Sequence, residues 1–91
     1  QVLMRIEFLD KFDRDLDDIT AKHVKQAVEK IIVRFEIAKT LADVPQVKKL
    51  TGFKSAFRIR IGDYRIGIFV DGDLVQFARV VHRKNIYRVF P

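Results

Sequence analysis

The chain opens with the alternation that is typical of a β-strand. Met4, Ile6 and Phe8 are apolar, and charged residues separate them. Because successive side chains of a strand point to opposite faces, this pattern predicts a short strand that is buried on one face. The strand-like run spans residues 2–8. We interpret residues 1–3, which precede a methionine, either as a remnant of cloning or as an upstream extension.

Helical periodicity replaces this alternation downstream. Over residues 10–19, and again over residues 20–39, apolar side chains recur every three or four positions, which is the spacing of one buried helix face. Because the two segments are adjacent, we expect an antiparallel helical hairpin. Pro45 blocks any continuation of the second helix, so residues 40–51 are interpreted as a connector.

Alternation with period two returns after Gly52 and predicts two strands, and a following run that is apolar at most positions predicts a third; tight turns join the three. The predicted strands cover residues 57–61, 64–70 and 74–81. A polar and aromatic tail follows over residues 82–91. The order β-α-α-β-β-β predicts an α+β fold, in which a small, mostly antiparallel sheet carries the helical hairpin on one face. We expect a single domain over residues 1–91.

Composition narrows the classes of function. Cysteine is absent from the 91 residues, which excludes disulfide, Cys-ligated zinc and thiol chemistry. No apolar run is long enough to span a membrane, and no signal-peptide pattern opens the sequence, so we expect a cytoplasmic protein. The net charge of +6 is uneven, because residues 1–43 carry −1 and residues 44–91 carry +7. This basic half favours a polyanionic partner, and nucleic acid first.

Alternation places arginine on one face of the predicted sheet. Arg58 and Arg60 share the face opposite to the apolar residues of their strand, and Arg65 points to the same side. If the last strand continues the pattern, Arg79 and Arg83 join this cluster. The same parity places four other side chains near it: Phe69, Val75, Phe77 and Tyr87. Guanidinium groups bind phosphate and aromatic rings stack on unpaired bases, so this face suits RNA.

A surface selected only for solubility is the alternative interpretation of these charges. Residues 58–88 contain arginine six times and lysine once, at Lys84. A plain solubility surface would mix the two and include more acidic residues. The bias therefore favours phosphate binding.

Two segments carry a family resemblance. Residues 49–66 read KLTGFKSAFRIRIGDYRI, and residues 79–87 read RVVHRKNIY. Together they resemble the RelE/ParE toxin superfamily of bacterial and archaeal type II toxin–antitoxin systems, and its RelE-like branch most. The resemblance implies the β-α-α-β-β-β fold and a toxin that cleaves mRNA in the ribosomal A site. It also implies a hetero-oligomer with an acidic, partly disordered cognate antitoxin.

The resemblance carries a set of site residues onto this chain. The candidate catalytic residues are Arg58, Arg60, Arg65, His82, Arg83 and Tyr87. From the positive charge of this half of the chain, and not from the resemblance, five further residues are candidates for RNA binding: Lys49, Lys54, Arg79, Lys84 and Arg88. Cleavage through the substrate's own 2′-hydroxyl needs a general base, cations at the phosphorane and a general acid, but no metal or other cofactor.

Arginine suits the phosphate-binding role, because its guanidinium group stays protonated. The general base is left open between Tyr87 and His82. The parity of His82 on its strand is opposite to that of Arg83, so this histidine is expected to face away from the arginines.

Two other functions fit the same superfamily. A ParE-like toxin would inhibit DNA gyrase without nuclease chemistry, and a degenerate relative would only bind RNA. The joint presence of the arginines with Tyr87 favours the nuclease.

Overall fold

Five strands and three helices form the molecule, and the computed structural model describes residues 3–91. In chain order the elements are β1 (Arg5–Phe8), α1 (Asp10–Asp18), α2 (Lys22–Ile37), a 3₁₀ turn (Leu41–Asp43), β2 (Val47–Lys49), β3 (Ala56–Ile61), β4 (Tyr64–Asp71), β5 (Leu74–His82) and α3 (Ile86–Val89). This order confirms the predicted α+β arrangement. The predicted start of the first strand at Val2 lies outside the described residues.

All five strands belong to one sheet with the order β1-β5-β4-β3-β2. Strand β1 runs parallel to β5, and the other three pairs are antiparallel. The sheet is therefore mostly antiparallel, as the sequence predicts. Between β4 and β5 the turn uses Gly72, whose φ of +59° lies in the left-handed region that favours glycine.

The main core lies between the sheet and the helices α1 and α2. Phe12 of α1 and Phe35 of α2 are fully buried, and their rings lie 5.3 and 5.4 Å from the ring of Phe77 on β5. Both helices therefore cover the same face of the sheet. Within residues 3–91, no helix combines the length and the apolar character that a membrane span requires.

The sequence placed Phe77 and Val75 beside the arginine cluster, and this placement is wrong. Both side chains are fully buried in the main core. Gly67 pairs with Arg79, but the next residue, Ile68, pairs with Phe77, so Ala78 is an extra residue in β5. Such a bulge shifts the alternation of a strand, and parity counted through it fails.

Residues interpreted as connector and tail form two elements that the sequence did not predict. Strand β2 lies in the connector and pairs with β3, which places Lys48 opposite Arg58. Helix α3 lies in the tail and closes a small second core on the other sheet face. That core contains Ala56, Ala78, Ile86 and Phe90. Each of these elements brings a residue to the site described below.

Gly67 makes the approach of the C-terminal segment to the sheet possible. A Cβ atom at this position would lie 2.5 Å from the ring of Phe90. Real Cβ atoms do not approach an aromatic ring so closely, so only glycine fits the sheet beneath Phe90. The residue thus allows Phe90, which follows α3, to lie directly against β4.

Candidate functional site

A cavity of about 780 Å³ opens on the sheet face opposite to α1 and α2. Five of the six candidate catalytic residues line it: Arg58, Arg60, Arg65, Arg83 and Tyr87. The remaining lining residues come from the connector with β2 and from the chain around α3: Pro45, Gln46, Val47, Lys48, Lys84 and Ile86. The cavity therefore gathers side chains from four separate parts of the sequence.

The register of β3 and β4 brings three of the arginines together. Arg58 and Arg60 lie two positions apart on β3, so they share one face. Arg65 of β4 lies directly opposite Arg60. The alternation in the sequence predicted this shared face, because no bulge interrupts these strands between the three residues.

Arg65 is held by backbone carbonyl groups at the turn between β3 and β4. Its Nη1 donates hydrogen bonds to the oxygen of Gly62 at 2.8 Å and to the oxygen of Tyr64 at 2.9 Å. Desolvation lowers the pKa of Arg65 from its ordinary value, and the positive charges of Arg60, Arg58 and Arg83 lower it further. The four guanidinium groups thus repel one another in the free protein, and an anion bound among them would relieve that repulsion.

Tyr87 joins the arginines from helix α3. Arg58 Nη1 donates a hydrogen bond to the hydroxyl oxygen of Tyr87, and Arg58 Cζ lies 5.5 Å from the centre of the tyrosine ring. The tyrosine is 73% exposed, so its hydroxyl is open to a ligand in the cavity. Arg58 therefore orients an accessible phenol beside the arginine cluster.

Arg83 enters the cavity from the segment after β5. Its backbone N–H donates to the oxygen of Asp63 at 2.7 Å, which ties this segment to the turn between β3 and β4. Its Nε lies 3.8 Å from the Asp63 carboxylate, and both side chains are exposed. An exposed pair at this distance is weak, so the guanidinium group is available to an incoming phosphate.

His82 lies outside the residues that line the cavity. It pairs with Tyr64 across β4 and β5, and the two rings meet edge to face with their centres 5.7 Å apart. Tyr64 packs against the main core on the helix side of the sheet. His82 Nδ1 also accepts a hydrogen bond from the backbone N–H of Lys84 at 3.2 Å. The structure therefore separates the two general-base candidates.

The sequence placed Arg79 in the arginine cluster, and this placement is wrong. Arg79 binds Asp15 of α1 with two hydrogen bonds, from Nε at 2.7 Å and from Nη2 at 3.0 Å. These bonds raise the pKa of Arg79. The same carboxylate accepts the backbone N–H of Val80 at 3.0 Å. Asp15 thus anchors α1 to the part of β5 that lies beyond the short strand β1.

The other basic candidates are divided among three places. Lys84 lines the arginine cavity, whereas Lys49 ends β2 and Lys54 lies in the loop that follows this strand. Arg88 is exposed and donates a hydrogen bond from Nη2 to the side-chain oxygen of Asn85 at 2.9 Å. Lys48 lines the cavity but was not among the candidates, because its strand is only three residues long and gives no periodic signal.

Comparison of the sequence with known proteins finds toxins of toxin–antitoxin systems. Residues 6–87 match the family described as the ParE toxin of type II toxin–antitoxin systems, parDE. The chain is 39% identical to toxin RelE3 of Methanocaldococcus jannaschii over 89 residues, which is 97% of this chain and 100% of that protein.

Solved structures agree with these sequence matches. The toxin of the RelB–RelE antitoxin–toxin complex from Methanococcus jannaschii superimposes with a TM-score of 0.80 at 38% identity, over 93% of this chain and 99% of the other. A chain of the toxin–antitoxin complex RelBE2 from Mycobacterium tuberculosis gives a TM-score of 0.65 at 26% identity, over 90% of this chain and 100% of the other. The chain therefore belongs to the RelE/ParE superfamily of toxins from type II toxin–antitoxin systems, as the two motif segments predicted.

Proposed function

We propose that this toxin is an endoribonuclease that cleaves mRNA in the ribosomal A site and is held inactive by a cognate antitoxin. One observation carries the proposal. Four guanidinium groups surround one open cavity and repel one another, and an accessible phenol stands beside them. A site of this kind gains stability when a group with more than one negative charge enters it.

Cleavage would use the 2′-hydroxyl of the RNA as the nucleophile. Its oxygen bonds to the adjacent phosphorus, the bond from phosphorus to the 5′-oxygen breaks, and the products are a 2′,3′-cyclic phosphate and a 5′-hydroxyl. One proton leaves the 2′-oxygen and one joins the 5′-oxygen, so the reaction needs a proton acceptor and a proton donor. The phosphorane between reactant and product carries additional negative charge.

The arginines suit the charge that develops on the phosphorane. Arg65 is fixed by two carbonyl oxygens and needs little reorganisation, whereas Arg60 and Arg83 are exposed and free to contact phosphate oxygens. Preorganised donors of this kind each contribute on the order of 10²–10³ to the rate in other enzymes. The guanidinium groups supply the cationic charge, so the proposal needs no metal ion.

Tyr87 is the residue that we assign to proton transfer at the 2′-oxygen. Its hydroxyl lies at the cavity and is oriented by Arg58, whereas His82 packs against Tyr64 on the other side of the sheet. A general base must reach the proton that it removes, and geometry is the first criterion. The positions of the two side chains support Tyr87.

An antitoxin is the proposed partner. The relatives from Methanococcus jannaschii and Mycobacterium tuberculosis were both solved as complexes of toxin and antitoxin. The basic cavity favours an acidic antitoxin segment, which would cover the arginines by charge complementarity. Binding there would exclude RNA from the same surface.

The experiment combines two assays of the purified toxin. In the first, ribosomes programmed with a defined mRNA are incubated with the toxin in buffer containing EDTA at a concentration that keeps the ribosomes intact. We expect a cut within the A-site codon. In the second, DNA gyrase is assayed for accumulated DNA breaks. Intact A-site mRNA together with increased gyrase-mediated breakage would overturn the nuclease proposal in favour of a ParE-like activity.

A further inference from the structure

A second cavity adjoins the arginine cavity, and we propose that it binds one unpaired nucleobase of the RNA next to the cleaved phosphate, with Phe53 as the stacking residue. The inference deepens the proposed function and rests on it for the identity of the substrate. It adds an RNA-binding residue that lies outside the arginine cluster.

The second cavity has a volume of about 410 Å³. It shares Lys48, Arg58 and Tyr87 with the arginine cavity, so these three side chains form the boundary between the two. A nucleotide chain that places one phosphate among the arginines would therefore continue directly into the second cavity.

Phe53 lines this second cavity from the loop between β2 and β3. Phe53 is 49% exposed, although a large apolar side chain is normally buried. Phe8 is also exposed, but its ring packs on those of Phe12 and Phe77. In the part of the chain that the structure describes, no other aromatic ring pairs with Phe53, so one face is available for stacking.

The loop that carries Phe53 is tied down at its base. The backbone N–H of Leu50 donates to the oxygen of Ala56 at 2.9 Å, and that of Phe53 donates to the oxygen of Leu50 at 3.4 Å. Gly52 turns the chain between them with a φ of +86°. An exposed aromatic side chain on an anchored loop loses little conformational freedom when a base stacks on it.

The surroundings of Phe53 suit a nucleotide. Lys48, Lys49 and Arg58 line the cavity, and Lys54 follows Phe53 in the chain. Every side chain that lines the cavity lies within residues 48–91, and none of them is acidic. Aromatic rings interleaved with cations form the usual platform for single-stranded nucleic acid, in which the rings contact the bases and the cations contact the phosphates.

RNA is favoured over an antitoxin peptide because of the shared boundary with the arginine cavity. A nucleotide chain has one phosphate for each base, and the two adjoining cavities offer four arginines for a phosphate and, beside them, the ring of Phe53 for a base. Stacking on one aromatic side chain changes affinity by about 5- to 150-fold in other proteins that bind single strands. That range sets the expected size of the effect.

The test measures binding of short single-stranded RNA that cannot be cleaved, because each sugar carries a 2′-O-methyl group. The free toxin, Phe53→Ala and Phe53→Trp are compared on the intact oligonucleotide and on versions with one abasic position in turn. Ile37→Ala is the matched control, since Ile37 is exposed on α2, on the other side of the sheet. Thermal unfolding of each variant verifies that it folds.

We expect Phe53→Ala to weaken binding of the intact oligonucleotide by about 5- to 150-fold and Phe53→Trp to preserve it. For one abasic version, Phe53→Ala should have no further effect. Equal losses on every version would overturn the inference. Unchanged RNA binding by Phe53→Ala would also overturn it. If the same variant then binds the antitoxin more weakly, the second cavity is a peptide site. Since this readout requires neither ribosome nor cleavage, failure of the nuclease proposal is detected separately.

Discussion

Arg58 Nη1 donates a hydrogen bond to the hydroxyl oxygen of Tyr87, a residue 29 positions later in the chain. The bond joins β3 to α3 and holds the phenol beside three other arginines. The position of Tyr87 thus depends on both the sheet and the C-terminal helix.

Loss of the Tyr87 hydroxyl should reduce the rate of cleavage. Tyr87→Phe retains the ring over Arg58 but removes the group assigned to proton transfer, so we expect the rate on programmed ribosomes to fall by about 10²–10⁴. RNA affinity should change little. The measurement is single-turnover cleavage at saturating toxin.

His82→Asn is the matched comparison for this prediction, because it removes the other candidate base. His82 lies outside the cavity, so the cleavage rate of His82→Asn should stay near that of the wild type. A large loss in His82→Asn with full activity in Tyr87→Phe would reverse the assignment.

Removal of one charge from the arginine cluster should stabilise the free toxin while it impairs function. Arg60 and Arg65 lie opposite each other on β3 and β4, and like charges in this position are unfavourable. Neighbouring positive charges also lower the pKa of Arg65. We expect Arg60→Gln to raise the free energy of unfolding by about 0.2–1 kcal/mol at low salt, and to slow cleavage on the order of 10²-fold.

Urea unfolding at low and high salt checks this prediction. The increase in the free energy of unfolding of Arg60→Gln should become smaller as the salt concentration rises, because mobile ions screen the repulsion between the arginines. Lys30→Gln, at an exposed position in the middle of α2, is the control for net charge and should show a smaller gain in the free energy of unfolding. An equal gain in both variants would contradict repulsion within the cluster.

The Arg79–Asp15 pair should stabilise the fold without a direct role in RNA binding. The side chain of Arg79 is 20% exposed and that of Asp15 is 12% exposed, and the hydrogen bonds between them are short. We expect Arg79→Leu to lower the free energy of unfolding by about 1.5–3 kcal/mol, the usual range for hydrogen bonds to charged groups. Urea unfolding measures the stability, and the uncleavable oligonucleotide measures RNA affinity.

Arg58→Leu provides the contrast, since Arg58 lines the cavity. It should weaken RNA binding more than Arg79→Leu does. If Arg79→Leu weakens RNA binding as strongly as Arg58→Leu and leaves stability unchanged, Arg79 belongs to the RNA-binding surface after all.

A methyl group at position 67 should displace the C-terminal segment. The added Cβ of Gly67→Ala would meet the ring of Phe90, and such overpacking typically costs about 1–3 kcal/mol. Because Tyr87 lies in the same segment, cleavage should fall as well. The double variant Gly67→Ala/Phe90→Leu makes room for the methyl group, so its loss of stability should be smaller than the sum of the single losses. Strict additivity would show that the two residues do not collide.

Much of the fold follows from local patterns in the sequence. The apolar stripes predicted α1 and α2, alternation predicted β3 and β4, and a nearly continuous apolar run predicted β5, because each pattern lies within its own element. The same alternation placed Arg58, Arg60 and Arg65 on one face. Strands β3 and β4 pair without a bulge around these residues, so counting every second position gives the correct face.

The remainder depends on contacts between distant residues. Arg79 finds its partner 64 positions earlier in the chain, and the extra residue Ala78 shifts the parity of β5. Strand β2 has three residues and helix α3 has four, too few to show a period. Lys48 and the second cavity therefore emerged only from the structure.

The chemical nature of the RNA ends shows whether the cut is made through the 2′-hydroxyl of the substrate. Programmed ribosomes are incubated with the wild-type toxin and with Arg58→Ala, and the ends of the cut mRNA are mapped. This mechanism predicts a 2′,3′-cyclic phosphate and a 5′-hydroxyl within the A-site codon, and the variant should form them about 10²–10³ times more slowly. Uncut mRNA, equal rates for the two proteins, or ends with a 3′-hydroxyl and a 5′-phosphate would contradict it.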